Sequence, residues 1–271
     1  MRRFVGTALR TGLRTLAGLR SFLPAPSGAR ILTYHSVRPD GTGPRSSYVD
    51  PADFASQMEW LEKSGYQVVS LDTLADRLLT GGGLPDNWVC ITFDDGYADN
   101  YVHAFPVLKR HGFPATVFLV TGEVNRNPLF VTSGQIAEML AYGVGFGAHT
   151  VDHVSLSSVA PDEAAEQIAG SKAQVAALTG APAKHFCYPF GHYNESVAGF
   201  VRSSGFRTCC LEQAGTVKSG SDPLQLRRAG ILGTDTLHDF QLKVRGAYDW
   251  WINIYMRNEE RRRLRRGGLP D

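Results

Sequence analysis

The chain has 271 residues, 43% of them hydrophobic and 20% charged, with a net charge of +2 and four cysteines, none in a CxxC pair. That length suits one large domain with a substantial core. The cysteine pattern argues against a disulfide framework, and no apolar run reaches the ~18 residues that a membrane-spanning helix needs.

The small net charge hides an uneven distribution. Residues 1–30 carry six arginines and no acid (+6), and residues 257–271 six arginines against three acids (+3), leaving −7 on 31–256. The organisation expected is a basic N-terminal segment (1–30), an acidic body (31–245) and an aromatic, basic tail (246–271). The N-terminus starts like a signal peptide, but Arg10, Arg14 and Arg20 break the apolar stretch. Leu9, Leu13 and Leu16 recur at helical spacing there, as in an interfacial helix. Both ends suit an anionic membrane surface, and Trp250 or Trp251 packing onto the body is the plainer alternative. The expected location is cytoplasmic or peripheral on the inner membrane face, with no nucleic-acid partner.

Within the body, strand-like and helix-like segments alternate. "ILTYH" (31–35) reads as a strand. "PADFASQMEWLEKSG" (51–65) has Pro51 after Asp50, an apolar face of Phe54, Met58 and Leu61, and a stop at Gly65, which are helix start and stop signals. "YQVVS", "WVCITF", "ATVFLV" and "VGFGA" read as strands. "LDTLADRLL", "YVHAFPVLKRHG" and "SGQIAEMLAYG" read as helices, as does the long segment 161–180. "HFCYPF" (185–190) is strand-like, "NESVAGFVRSSG" helical and "FRTCCLE" a strand. About seven such units with short loops imply parallel strands with helices outside, and a (β/α) barrel carries its chemistry at the C-terminal ends of its strands.

Two short segments fall at those ends. Asp94 and Asp95 directly follow "WVCITF", and "GAHTVDH" places His149 and His153 four residues apart after "VGFGA". Adjacent buried carboxylates repel each other unless a cation neutralises them; an Asp-Gly turn or helix cap is the bland alternative. Two imidazoles and a carboxylate are ligand types suited to a divalent ion. One Asp would then bind the cation, and its neighbour would stay ionised to accept a proton from an acidified water.

"TFDDG" (92–96) and "HTVDH" (149–153) resemble the first two motifs of the polysaccharide deacetylase family, the NodB homology domain or carbohydrate esterase family 4. "LTYHSV", "GYADNY", "FPATVFLV" and "CYPFGHYN" extend the likeness over roughly residues 30–230, closest to the bacterial exopolysaccharide-type branch. The resemblance implies a distorted (β/α)7 barrel and metal-dependent removal of acetyl groups from N-acetylated sugars of a poly- or oligosaccharide; the basic ends add the expectation of a lipid-linked or nascent glycan at a membrane face. Carried over by position, Asp94 is the catalytic base and Asp95, His149 and His153 hold the metal. Zinc is expected first, with Co2+, Ni2+ or Mn2+ as substitutes.

The sequence departs from the family pattern at two points. The third motif lacks the arginine that pairs with the base, a role left to Arg227 or Arg228. No Leu-x-His supplies the general acid, for which His238 is the nearest candidate and His35 and His192 are rivals. Tyr188, Pro189, Phe190 and His35 are expected at the substrate, where a backbone N–H beside Pro189 either holds the oxyanion or the segment simply walls the groove. Asp99 and Asn100 are expected to cap the following helix; His103, His111 and His185 are expected to be structural or exposed. An O-acetyl glycan esterase and a non-catalytic glycan-binding module are the alternatives in function.

Overall fold

The computed structural model describes residues 27–39 and 47–249. The expectations for the basic N-terminal segment, for the tail from residue 250 onward and for membrane contact through them lie outside the described residues. No described helix is long and apolar enough to cross a membrane.

The strands in chain order are β1 (Arg30–Tyr34), β2 (Ser36–Val37), β3 (Tyr48–Val49), β4 (Gln67–Val68), β5 (Trp88–Phe93), β6 (Thr116–Leu119), β7 (Gly145–Ala148), β8 (His185–Cys187), β9 (Thr208–Cys210) and β10 (Ala229–Gly230). The main sheet runs β10-β1-β5-β6-β7-β8-β9, every pair parallel, with β4 beside the start of β5. Helices α1 (Pro51–Lys63), α2 (Leu71–Leu79), α3 (Phe105–His111), α4 (Ser133–Tyr142), α5 (Pro161–Thr179), α6 (Glu195–Ser203) and α7 (Leu237–Val244) complete the fold. This is the expected distorted α/β barrel. It stays open between β9 and β10, where an isolated parallel bridge from Cys210 to Leu226 spans part of the gap.

The period of two along each strand divides the core. Leu32, Tyr34, Val89, Ile91, Phe93, Val117, Leu119, Phe186 and Cys209 pack outward with the helices. Ile31, Cys90, Phe118, Cys187 and Cys210 alternate with them and share a second, inner cluster. All four cysteines are buried free thiols. Because the strands are parallel, the residues after β1, β5, β7, β8 and β9 meet at one rim.

Several boundaries differ from the sequence expectation. The helix expected over 101–112 opens as a π-turn, Asn100–Ala104, in which Phe105 N–H bonds Asn100 C=O, before α3 continues. Pro106 is the cause, since it has no N–H to give Val102 and its ring crowds that carbonyl. Asp99 and Asn100 do not cap this turn: Asp99 accepts from Ser36 Oγ and Val37 N–H, and Asn100 Nδ2 donates to His35 C=O at 2.8 Å. They tie the rim at His35 to the loop after β5. Arg30, buried at the start of β1, donates to Gly215 C=O and to Asp249, both at 2.8 Å.

Candidate active site

Asp94 directly follows β5, its N–H donated to Tyr34 C=O, and its side chain is 1% exposed. Arg228 grips it in parallel, Nη1 to Oδ1 at 2.7 Å and Nη2 to Oδ2 at 2.6 Å. The guanidinium is fixed in turn by Leu211 C=O, Thr92 Oγ1 and Cys187 Sγ. Burial alone would raise the Asp94 carboxyl, but the charge and hydrogen bonds of Arg228 outweigh it and hold the group well below the usual carboxylate range. Of the two arginines the sequence offered, Arg228 takes this role and Arg227 reaches only toward Ala214 C=O. Neighbours on an extended segment face opposite sides, so only one can enter the barrel.

Asp95 adopts φ 73° and turns its carboxylate away from Arg228, toward the loop after β7. Its Oδ1 is buried without a hydrogen-bond partner, 3.5 Å from His149 Nε2 and 3.3 Å from His153 Nε2. His149 donates Nδ1–H to Cys187 C=O at 2.8 Å, which leaves Nε2 as the lone-pair nitrogen facing Asp95. Burial pushes the His149 pKa down, favouring the neutral ring that a metal requires. The three ligand atoms lie within 4.8 Å of one another. An orphaned buried oxygen beside two imidazole nitrogens fits a divalent cation, and the donor set is right for one. Tyr97 lies near Asp95, and its pKa is raised by burial first and by that carboxylate second.

Strain concentrates here. Asp95, Thr150, His153 and Phe190 are four of the five non-glycine residues with positive φ among those described, and such conformations persist where surrounding structure over-determines them. Phe190 follows Pro189 in the turn after β8, is 38% exposed, and sets its ring 4.7 Å from that of His153. The N–H groups of Tyr188, Gly191 and His192 are bonded to Cys210, Tyr188 and Pro189 carbonyls, whereas that of Phe190 has no partner among the described residues. Tyr188 itself is buried, its ring 5.3 Å from Phe186.

On the opposite flank, His35 Nε2 lies 3.7 Å from Glu212 Oε1, both side chains about one-third exposed, and both group with Asp94 within 4.8 Å. They border a cavity of about 320 Å3 floored by Thr33 and Arg228 and walled by Ile231 and Leu232. His238 stands apart from these groups, exposed in the first turn of α7, a helix capped by a reciprocal Thr236–Asp239 pair rather than by Thr234 or Asp235. His192 meets Ser155 Oγ at 3.4 Å, and His185 is buried at the other end of β8 between Thr208 and Asp72.

The sequence model of the family described as "Polysaccharide deacetylase" matches residues 81–209. YxkH of Bacillus subtilis (strain 168), a protein assigned to the polysaccharide deacetylases, is 30% identical over 207 residues, covering 76% of this chain and 72% of that protein. The chain belongs to the polysaccharide deacetylase family. A poly-beta-1,6-N-acetyl-D-glucosamine N-deacetylase of Escherichia coli (strain K12) is 33% identical over 89 residues, 33% of this chain and only 13% of that protein. The solved structure of the Streptococcus pyogenes deacetylase PplD in complex with acetate superposes with a TM-score of 0.75 at 25% identity, covering 81% of this chain and 99% of that one. The family barrel therefore extends over nearly the whole described body, with the Asp94–Arg228 pair and the Asp95–His149–His153 group on its rim.

Proposed function

We propose that this polysaccharide deacetylase is a metal-dependent hydrolase that removes acetyl groups from N-acetylated sugars of a poly- or oligosaccharide, releasing acetate. The observation that carries the reading is the orphaned Asp95 Oδ1 between His149 and His153, one residue from a carboxylate that Arg228 keeps ionised. A divalent cation held by Asp95, His149 and His153 would supply Lewis acidity to the acyl carbonyl and to the attacking water.

The remaining work falls to the chain's own groups. Asp94 accepts the water proton through Oδ1, which keeps a lone pair beside its one bond from Arg228, while Oδ2 is occupied by Arg228 and the Cys187 thiol. Phe190 N–H is available to the oxyanion, which favours the oxyanion role for the 188–190 turn over a purely packing one. The departing amine takes its proton from His35, in preference to His238. His35 shares a group with Asp94, opens on the cavity, and has Glu212 to steady its imidazolium. The ring of Phe190 and the cavity beyond His35 flank the reacting position, as a groove for a carbohydrate chain requires. An N-acetylated hexosamine polymer is the substrate class that the E. coli relative's name supports.

The test is acetate release from N-acetylglucosamine oligomers by the full chain and by Asp94→Asn. The variant should keep the metal and lose at least about a hundredfold in rate. Undiminished release by Asp94→Asn would refute the assignment of the base.

A further inference from the structure

The two histidines proposed as ligands sit at the ends of a five-residue loop, His149–His153, in which Thr150 and His153 have φ of 64° and 55°. Such a loop does not hold this shape by itself. Its carbonyls are taken from one side: Thr121 N–H donates to Thr150 C=O at 3.2 Å and Gly122 N–H to Val151 C=O at 2.8 Å. A Cβ on residue 122 would stand 2.7 Å from that same carbonyl oxygen, so only glycine lets the strand-end loop approach this closely.

The loop's N–H groups are taken from the other side by a single side chain. Gln167, nine-tenths buried on α5, accepts from Val151 N–H and from Asp152 N–H, each at 2.9 Å, through one Oε1. Its Nε2 donates back to Asp152 Oδ2 at 2.6 Å. One helical turn on, Gly170 brings α5 up against the same loop, where an added Cβ would stand 3.2 Å from Val151 Cγ2.

We propose that Gln167 is a positioning residue for the metal site. By clamping both amides between the two histidines, together with the Asp152 side chain, it sets the separation and aim of His149 Nε2 and His153 Nε2 toward Asp95. The inference rests on the metal reading above and extends it to a residue that touches neither the ligands nor the substrate. Residues outside the ligand shell that orient ligands change metal affinity by about 10–100-fold when lost.

The test measures Co2+ affinity of the full chain by competition with a chromogenic chelator, alongside the visible absorption of the bound ion. Gln167→Ala should weaken Co2+ binding by about 10–100-fold and alter the absorption bands. Gln167→Glu sets two carboxylates against each other at Asp152 and should also weaken it. Adding Asp152→Asn to Gln167→Glu exchanges acceptor for donor at unchanged total charge and should restore affinity to within about threefold of wild type, as expected once the hydrogen bond is remade. Should Gln167→Ala lose its near-UV circular dichroism, that pair of variants decides: affinity regained in the double variant supports the clamp, and affinity not regained overturns it. Wild-type affinity and spectrum in a folded Gln167→Ala would overturn it as well, while leaving the metal site standing. A wild-type chain that binds no Co2+ would instead overturn the metal reading itself, and this inference with it.

Discussion

Arg228 and Asp94, separated by 134 positions in sequence, meet through two parallel hydrogen bonds of 2.6 and 2.7 Å, each side chain only 1% exposed. A fully buried bidentate pair costs much desolvation, and its worth shows when one partner is removed. Arg228→Met leaves the Asp94 charge unpaired inside the barrel and should lower stability by about 3–5 kcal/mol in urea unfolding at pH 7. Arg228→Met with Asp94→Leu should recover most of that loss. A single variant as stable as wild type would contradict the pairing.

The same pair fixes a pH dependence. The folded-state pKa of Asp94 is depressed, so its stabilisation is complete above the unfolded value of about 3.9 and fades as pH falls below it. Urea midpoints of wild type should therefore decline as the medium is acidified below about pH 4. In Arg228→Met the sign reverses at this group: burial without a partner raises its pKa, so acidification toward about pH 4 relieves the buried charge and the deficit against wild type narrows. A deficit constant from pH 4 to 7 would exclude this origin.

Two of the three candidates for the general acid, His35 and His238, carry opposite expectations. His35→Asn should lower kcat for acetate release by about 10²–10⁴-fold. His238→Ala, altering an exposed position in the first turn of α7, should leave kcat within about twofold, as surface changes usually do. A large loss in His238→Ala with little in His35→Asn would reverse the assignment.

Gly122→Ala forces a methyl against Val151 C=O, 2.7 Å from where the new Cβ would stand. Overpacking of this kind costs about 1–3 kcal/mol. Because the displaced atom belongs to the loop bearing both histidines, metal affinity should fall together with the thermal midpoint. A variant with unchanged metal affinity would show that the loop yields elsewhere.

Much of this site was legible in the sequence because its parts are contiguous there. The acid pair after "WVCITF" and the paired histidines after "VGFGA" sit where a strand ends, and parallel strands bring their ends together. What escaped depends on distant segments. Arg228 and Arg227 are indistinguishable until Ala229–Gly230 adds the short strand that decides which one faces inward; that strand of two residues has no periodicity to detect. Glu212 reads as one more surface acid, and only the approach of β9 to β1 across the open side of the barrel places it near His35. Gln167 lies in an alanine-rich helix whose pattern shows which residues are buried but not which loop they meet. The start of the 101–112 helix departs from its sequence pattern for a local reason, the missing N–H of Pro106. His238 is the histidine nearest to a Leu-x-His pattern, and its exposure in the first turn of α7 depends on a cap that the sequence leaves open among Thr234, Asp235 and Thr236.

On the proposed reading, deacetylation requires a cation gathered by Asp95, His149 and His153. The most direct test of that requirement is the acetate release rate of the full chain on N-acetylglucosamine oligomers, measured as purified, after exhaustive chelation, and after return of Zn2+ or Co2+, with bound metal quantified at each stage. Release should fall with the bound metal, return with it to near its first value, and stay unrestored in His149→Ala. Undiminished release from chelated enzyme carrying far less than one ion per chain would contradict the requirement.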